Sequence, residues 1–127
     1  MQKMPVPKIF ESEYRFCLIL WERGPIRSME LAKLCAERLG WSKTTTYTVI
    51  KRLIDRGVVK NEKTIVSALV TKDEIQASEL DALMEKTFEG SLPAFIAAFT
   101  RHRKLSTREI DQMQAMIDRC RKEQEHG

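Results

Sequence analysis

Four polar or aromatic residues recur with helical spacing in the middle of the chain. They stand at positions i, i+3, i+4 and i+7 of one helix face: Thr44, Tyr47, Thr48 and Lys51. This face carries hydroxyls, methyl groups and an ammonium, but no carboxylate. A polyanion can therefore lie against it without meeting a like charge.

The same segment has a second face of different character. Its apolar stripe consists of Thr46, Val49, Ile50, Leu53 and Ile54. Ser42 is a good N-cap for this helix, and Gly57 is expected to end it. Threonine is a poor helix former, so a helix that only faced water would not need four of them. We therefore favour a functional outer face over an ordinary solvated one.

One α-helix fits the major groove of B-DNA, where side chains near the helix N-terminus reach base edges. Threonine offers a hydroxyl and a methyl group to the bases, whereas lysine and arginine suit phosphates. On the helix, the predicted DNA-binding residues are Lys43, Thr44, Thr45, Tyr47, Thr48, Lys51 and Arg52. Lys60 and Lys63 are predicted to add contacts from a following hairpin, although lysines also protect exposed sheet edges from aggregation.

The segments around this helix predict how it is positioned. A first helix over residues 11–22 would bury Tyr14, Cys17, Leu18 and Trp21, and a second helix, N-capped by Ser28, would bury Leu31, Leu34, Cys35 and Leu39. Trp41 is expected to be buried at the turn. β-Branched runs at 58–61 and 64–70, around a turn at 61–63, predict a hairpin. This order is typical of a winged helix-turn-helix domain, in a fold that is mainly α with a small β-wing.

The back of the chain predicts three further helices. The first two are expected at about 73–88 and from Leu92 to Phe99, followed by a basic loop at 101–104 and a third helix opened by Ser106. We assign residues 1–71 to a DNA-binding domain and 72–127 to an α-helical dimerisation domain. The predicted dimer contacts are Leu80, Leu83, Met84, Phe88, Leu92, Phe95, Ile96, Phe99, Ile110, Met113 and Ile117. Three short helices bury little alone, so we favour a homodimer over helices folded back in a monomer.

Composition and charge narrow the function classes. Residues 1–71 hold 13 Lys and Arg against 7 Asp and Glu, whereas residues 72–127 hold 9 against 11. The basic front half suits phosphate. No apolar run reaches the roughly 20 residues of a membrane span, and Met1–Pro7 lacks a signal-peptide core. A cytoplasmic location is the expectation.

Catalysis, cofactors and metals have little support in the sequence. The three cysteines are scattered, and His102 and His126 have no evident partner, so we predict no cofactor, no metal site and no enzyme. Cys17 and Cys35 are expected to be buried thiols. Cys120 lies in line with the last apolar stripe and is either a buried thiol or a redox pair with its copy. The alternative to a DNA-binding protein is a winged-helix module that binds proteins only.

Taken together, these segments resemble the penicillinase-repressor (BlaI/MecI) family of bacterial winged-helix transcriptional repressors. The likeness rests on the order and spacing of several segments across about residues 9–119: Leu20–Pro25, Trp41–Thr45, Thr48–Leu53, Arg56–Val59, Gly90–Leu92, and Phe99 ahead of Leu105–Ile110.

The resemblance implies a homodimer that binds a palindromic operator in double-stranded DNA and represses antibiotic-resistance or other genes, such as those for copper transport. It further implies a membrane sensor-protease system whose signal leads to cleavage in the dimerisation domain, here between Ala98 and Phe99. Ala98 stands where resistance repressors have Asn. The C-terminal cysteine motif of the copper-responsive branch is missing.

Overall fold

The computed structural model describes residues 6–126, so most of the Met1–Pro7 segment lies outside the described residues. Six helices and three strands follow one another along the chain: α1 (Glu11–Arg23), β1 (Ile26–Arg27), α2 (Ser28–Leu39), α3 (Lys43–Asp55), β2 (Val59–Glu62), β3 (Ile65–Ala68), α4 (Lys72–Phe88), α5 (Leu92–His102) and α6 (Thr107–His126). The predicted class, mainly α with a small β-wing, is confirmed.

The chain divides into two compact units between Ala82 and Leu83, inside α4. The predicted boundary after residue 71 falls instead at the start of that helix. The division into a DNA-binding and a dimerising domain concerns function and stays a prediction. No helix of the described part has both the length and the apolar character needed to cross a membrane.

In the first unit, α1, α2, α3 and the sheet enclose one apolar core. Its fully buried side chains include Phe16, Leu20, Leu31, Leu53, Val58 and Val66. The predicted stripe of α1 was partly wrong, since Leu18 is 36% exposed whereas Phe16 is completely buried. Residues 16–21 are all apolar or sulfur-bearing, so helical periodicity alone does not identify the inner face.

The link between α2 and α3 forms as predicted. Gly40 ends α2 in the left-handed conformation with φ 71°, and the Ser42 hydroxyl caps α3 by accepting from the Thr45 N–H at 3.1 Å. Trp41 is half-buried and stacks on Phe16 with ring centroids 6.2 Å apart. The short connection holds α3 against α1.

The start of α2 differs from the prediction. Arg27 is the N-cap, and Ser28 is already helical and buried. The Ser28 N–H donates instead to the Thr64 carbonyl oxygen at 2.9 Å. This hydrogen bond extends the pairing of β1 with β3, so the beginning of α2 is held by the hairpin rather than by a side-chain cap.

The sheet is antiparallel, with strand order β1-β3-β2. Ile26 pairs with Val66, and Asn61 pairs with the same residue from the other side. The hairpin turn is Lys63-Thr64, with φ 51° and 67°, so the expected turn at 61–63 was displaced by one residue. Two successive positive φ values are typical of two-residue hairpin turns, whose twist matches that of the strands. Such turns usually contain Asn or Gly.

The second unit consists of the end of α4 with α5 and α6. Ser91 caps α5 by accepting from the Ala94 N–H, and Ser106 and Glu109 form the predicted capping box of α6. Helix α5 continues to His102, so Arg101 and His102 are helical and not part of a loop. Hydrogen bonds from Thr100 and Arg101 to the Ala97 carbonyl oxygen lie in this last turn.

Candidate nucleic-acid interface

The outer face of α3 is open to solvent. The exposed residues among those predicted to bind DNA are Lys43, Thr44, Thr45, Thr48, Lys51 and Arg52. Tyr47 is half-buried and packs against the core, so its ring is part structural while its edge stays accessible. Val49, Ile50 and Leu53 are buried on the opposite side. The two predicted faces of the helix are therefore present, although Ile54 is 39% exposed and does not belong to the inner stripe.

The threonine hydroxyls of α3 have different tasks. The Thr48 hydroxyl donates to the Thr44 carbonyl oxygen at 2.9 Å, and the buried Thr46 hydroxyl reaches the Ser42 carbonyl oxygen at 3.3 Å. Thr45 shares a 2.9 Å hydrogen bond with the Ser42 hydroxyl. Because its proton is used within the helix, Thr48 presents an acceptor oxygen and a methyl group outward. Those groups suit an amino group or a thymine methyl group at a base edge.

The charge of α3 changes along its length. Its first turn contains no acid and begins with Lys43, so the partial positive charge of the helix N-terminus is not cancelled locally. The only carboxylate of α3 is Asp55, its last residue, exposed one turn beyond Lys51. The region free of acid therefore covers the first three turns, where side chains of a groove-bound helix reach bases.

The wing presents a mixed charge. Lys60 and Lys63 are exposed, as the prediction requires. The Lys60 ammonium lies 3.4 Å from a Glu62 carboxylate oxygen. Such an exposed pair contributes little to stability. The pair does partly neutralise the Lys60 charge in the free protein. Lys63 is therefore the wing lysine whose charge is more available to a phosphate.

The sequence did not predict a partly buried ion pair behind α3. Arg56, directly after the helix, donates to the Glu13 carboxylate of α1, whose side chain is only 6% exposed. Cys17 lies in the same neighbourhood. Burial, then the charge of Glu13, raises the pKa of the Cys17 thiol to about 12, although Arg56 opposes the shift. Glu13 lies beside the apolar run of α1, but its partner Arg56 is 43 residues away in the sequence. The sequence therefore did not identify the pair.

The predicted dimer contacts fall into two groups. Six are exposed, between 39% and 57%: Leu80, Leu83, Leu92, Ile96, Ile110 and Ile117. The other five are half-buried: Met84, Phe88, Phe95, Phe99 and Met113. Phe95 contacts Phe88 edge-on at 5.4 Å and stacks on Phe99 at 6.1 Å, so these rings pack within one chain. Met116, 60% exposed, was missed because it lies beside the i, i+3, i+7 stripe.

The remaining candidates are cysteines and metal ligands. Cys17 and Cys35 are buried as predicted, and burial raises the pKa of the Cys35 thiol. Cys120 is exposed in the single chain, so the expectation of a buried thiol is not met there. Within residues 6–126, no group of three or more His, Cys, Asp or Glu is placed to hold a metal ion.

A three-helix unit with a β-wing, whose third helix has no acid before its last residue, has the winged-helix fold. The solved DNA-binding domain of the repressor BlaI has the same fold, with TM-score 0.50, 23% identity and coverage of 58% of this chain and 93% of that one. The penicillinase repressor family model matches residues 9–119. The chain belongs to the penicillinase repressor family, whose members are transcriptional repressors rather than enzymes.

Two relatives match this chain over most of their lengths. The penicillinase repressor of Bacillus licheniformis is 20% identical over 117 residues, covering 89% of this chain and 91% of its own length. An uncharacterised 16.5 kDa protein of Latilactobacillus sakei is 29% identical over 114 residues, covering 87% and 78%. By its family, the protein is a DNA-binding repressor.

Proposed function

We propose that the protein is a homodimeric repressor that binds a palindromic operator through one α3 helix per half-site. The observation that carries this proposal is the outer face of α3, where Lys43, Thr44, Thr48, Lys51 and Arg52 are exposed without an intervening carboxylate. The bases are read by the hydroxyl and methyl groups, while the lysines and arginine contact phosphates. Lys63 and Lys60 contact the backbone beside the groove.

The second unit supports dimerisation. Neither α5 nor α6 contains a buried residue, yet both carry large apolar side chains such as Ile96 and Ile117. Exposed apolar side chains in such number mark a surface that a partner covers. A second copy of this chain is the partner, because a two-fold dimer places two reading helices on the two halves of a palindrome.

Repression is relieved in this proposal by cleavage between Ala98 and Phe99, downstream of a membrane sensor-protease. Both residues are half-buried within α5, and Arg103 lies over the Phe99 ring at 5.2 Å. A protease needs an extended substrate segment. The last turns of α5 therefore have to open before cleavage, and the cut would separate Phe99 from Phe95, on which its ring stacks.

Selection from a pool of random duplexes tests the DNA-binding proposal and does not require the operator sequence to be known. Repeated binding and sequencing should enrich an inverted repeat whose half-site centres are separated by about 10 base pairs or a multiple of it. Binding to the enriched duplex should weaken steeply with salt, since phosphate contacts release counterions. A pool that stays random after selection, or recovery of a stable protein partner by a protein inactive towards DNA, would instead establish the protein-interaction module.

Two matched lysine variants test the assignment of α3. Lys51→Ala should lower the slope of log affinity against log salt by about one phosphate contact, whereas Lys86→Ala on α4 should leave it unchanged. Both lysines are exposed, and each change removes one charge. Equal slopes for both variants and the wild type would remove Lys51 from the interface.

A further inference from the structure

The C-terminal end of α3 is held by a polar network that packing alone does not require. Arg56 donates through Nη2 to Glu13 Oε2 and through Nη1 to the Lys8 carbonyl oxygen at 2.8 Å. Its guanidinium also lies over the Phe10 ring, 5.4 Å from the centroid. One side chain thus connects the reading helix to the segment that leads into α1.

Glu13 completes the network from the other side. Its Oε1 accepts from the Phe10 N–H at 2.8 Å, so both carboxylate oxygens are occupied, one by the start of α1 and one by Arg56. The Glu13 side chain is 6% exposed and that of Arg56 is 31% exposed. The bonds are directional and specify where the end of α3 lies relative to the start of α1.

The N-terminal end of α3 rests on the same helix by a different contact. Trp41 precedes the Ser42 cap and stacks on the buried Phe16 of α1, with an angle of 6° between the rings. Helix α1 therefore contacts the residues that flank α3 at both ends, through an aromatic stack at the N-terminal end and an ion pair at the C-terminal end. A stacked pair leaves freedom to slide, whereas an arginine bonded to two acceptors leaves little.

Stability is a poor reason for this ion pair. Replacing an ion pair in the interior by apolar side chains of similar volume is often neutral or stabilising, because burying a charge such as that of Glu13 costs its hydration. Reading DNA is a better reason, since hydrogen bonds to base edges tolerate little displacement of the helix that carries them. We propose that Glu13 and Arg56 are positioning residues, which fix the orientation of α3 so that its side chains meet the bases of the operator.

This inference rests on the proposed function and predicts a loss of sequence discrimination rather than of folding. The decisive variant is the charge-neutral double replacement Glu13→Leu with Arg56→Met. The readout is the ratio of affinities for the duplex enriched by the wild-type protein and for a scrambled duplex of the same composition. We expect this ratio to fall by about tenfold or more, comparable to losing a base contact in each half-site. The salt dependence should stay unchanged, because the net charge is unchanged.

Two further proteins make the test decisive. Glu11→Gln with Arg15→Gln removes an exposed ion pair of α1 and should leave the ratio as in the wild type. Arg56→Lys keeps the charge, but a lysine has no planar fork to bond to Glu13 and the Lys8 carbonyl together. Its affinity ratio should therefore lie between that of the wild type and that of the double replacement. If the double replacement fails to fold, the ratio measured for Arg56→Lys decides the test.

The outcomes separate this inference from the proposal beneath it. A wild-type protein without any discrimination means that the proposed function has failed. If the wild type discriminates and the folded double replacement has the same affinity ratio, the positioning role is overturned. If the double replacement is unfolded, an unchanged ratio in Arg56→Lys overturns it. A folded variant with a reduced ratio, beside an unchanged surface control, supports it.

Discussion

The two units of the chain bury their apolar side chains to very different degrees. In the first unit, Phe16, Leu31 and Leu53 have no exposed surface. In the second, α5 and α6 have no buried residue, although α5 is rich in aromatic and aliphatic side chains. The first unit encloses an apolar core within one chain, whereas the second leaves large apolar side chains exposed. Stability and assembly should therefore respond to substitutions in different units.

The largest effect is expected in the core of the first unit. Phe16→Ala should lower the free energy of unfolding by about 3–5 kcal/mol, because it empties a fully buried ring site against Trp41. Leu18→Ala, two residues away on the exposed side of α1, should change it by less than about 0.5 kcal/mol. Denaturant unfolding of the two variants measures the difference. Equal losses would mean that the two sides of α1 are not distinguished as described.

A charge on the uncovered surface should act on assembly instead. Ile117→Asp places a carboxylate on the 54% exposed apolar stripe of α6 and should give a monomer in sedimentation at micromolar concentration. Operator affinity should fall roughly a hundredfold, because two linked readers become two separate ones. Ala115→Asp is the control, because at about 100° per residue Ala115 lies on the side of α6 away from Ile117, and this variant should stay dimeric. A dimeric Ile117→Asp protein would place the interface elsewhere.

The pH dependence of stability reports on the core of the first unit. In the unfolded chain the Cys17 thiol ionises near its ordinary pKa of 9, whereas in the fold burial raises that pKa to about 12. The folded protein therefore keeps a proton that the unfolded chain releases, and stability falls as pH rises from 9 towards 12. Cys17 contributes at most about 1.4 kcal/mol per pH unit to this fall.

Cys17→Ala removes that contribution and should flatten the decline, as measured by denaturant unfolding between pH 8 and 10.5. Cys120→Ser, on the exposed surface of the second unit, should leave the decline as in the wild type. A decline of the same steepness in all three proteins would show that burial of the Cys17 thiol does not carry it.

The smallest expected effect concerns the wing. Thr64 is β-branched and has φ 67°, a conformation that glycine adopts without strain. Thr64→Gly should raise the free energy of unfolding by about 1 kcal/mol, whereas Thr71→Gly should not raise it, because that residue makes a capping box with Glu74. A destabilised Thr64→Gly protein would indicate that the threonine side chain contributes contacts to the turn.

Local signals predicted local structure well. Ser42 caps α3, Gly40 ends α2, and Ser106 with Glu109 opens α6, because each depends on residues within one helical turn. The order of helices and hairpin then predicted the winged fold. The Lys63-Thr64 turn was missed because neither residue is typical of positive φ, so its composition carried no signal.

Long-range pairings were beyond the sequence. Glu13 and Arg56 are 43 residues apart, and nothing in either segment identifies the other as its partner. The face of α1 was uncertain for a different reason, since six successive residues are compatible with burial and tertiary contacts select among them. The exposed outer face of α3 was predictable because it requires only helical spacing and the absence of carboxylates.

The two tryptophans of the first unit contact different segments of it. Trp41 precedes the cap of α3, and the Trp21 indole N–H donates to the Val70 carbonyl oxygen at 2.9 Å, two residues before α4 begins. Replacing either one by phenylalanine leaves a single tryptophan, whose fluorescence can be excited selectively at wavelengths where tyrosine does not absorb. The chain thereby provides two native optical probes, one beside the start of α3 and one beside the start of α4, without an attached dye.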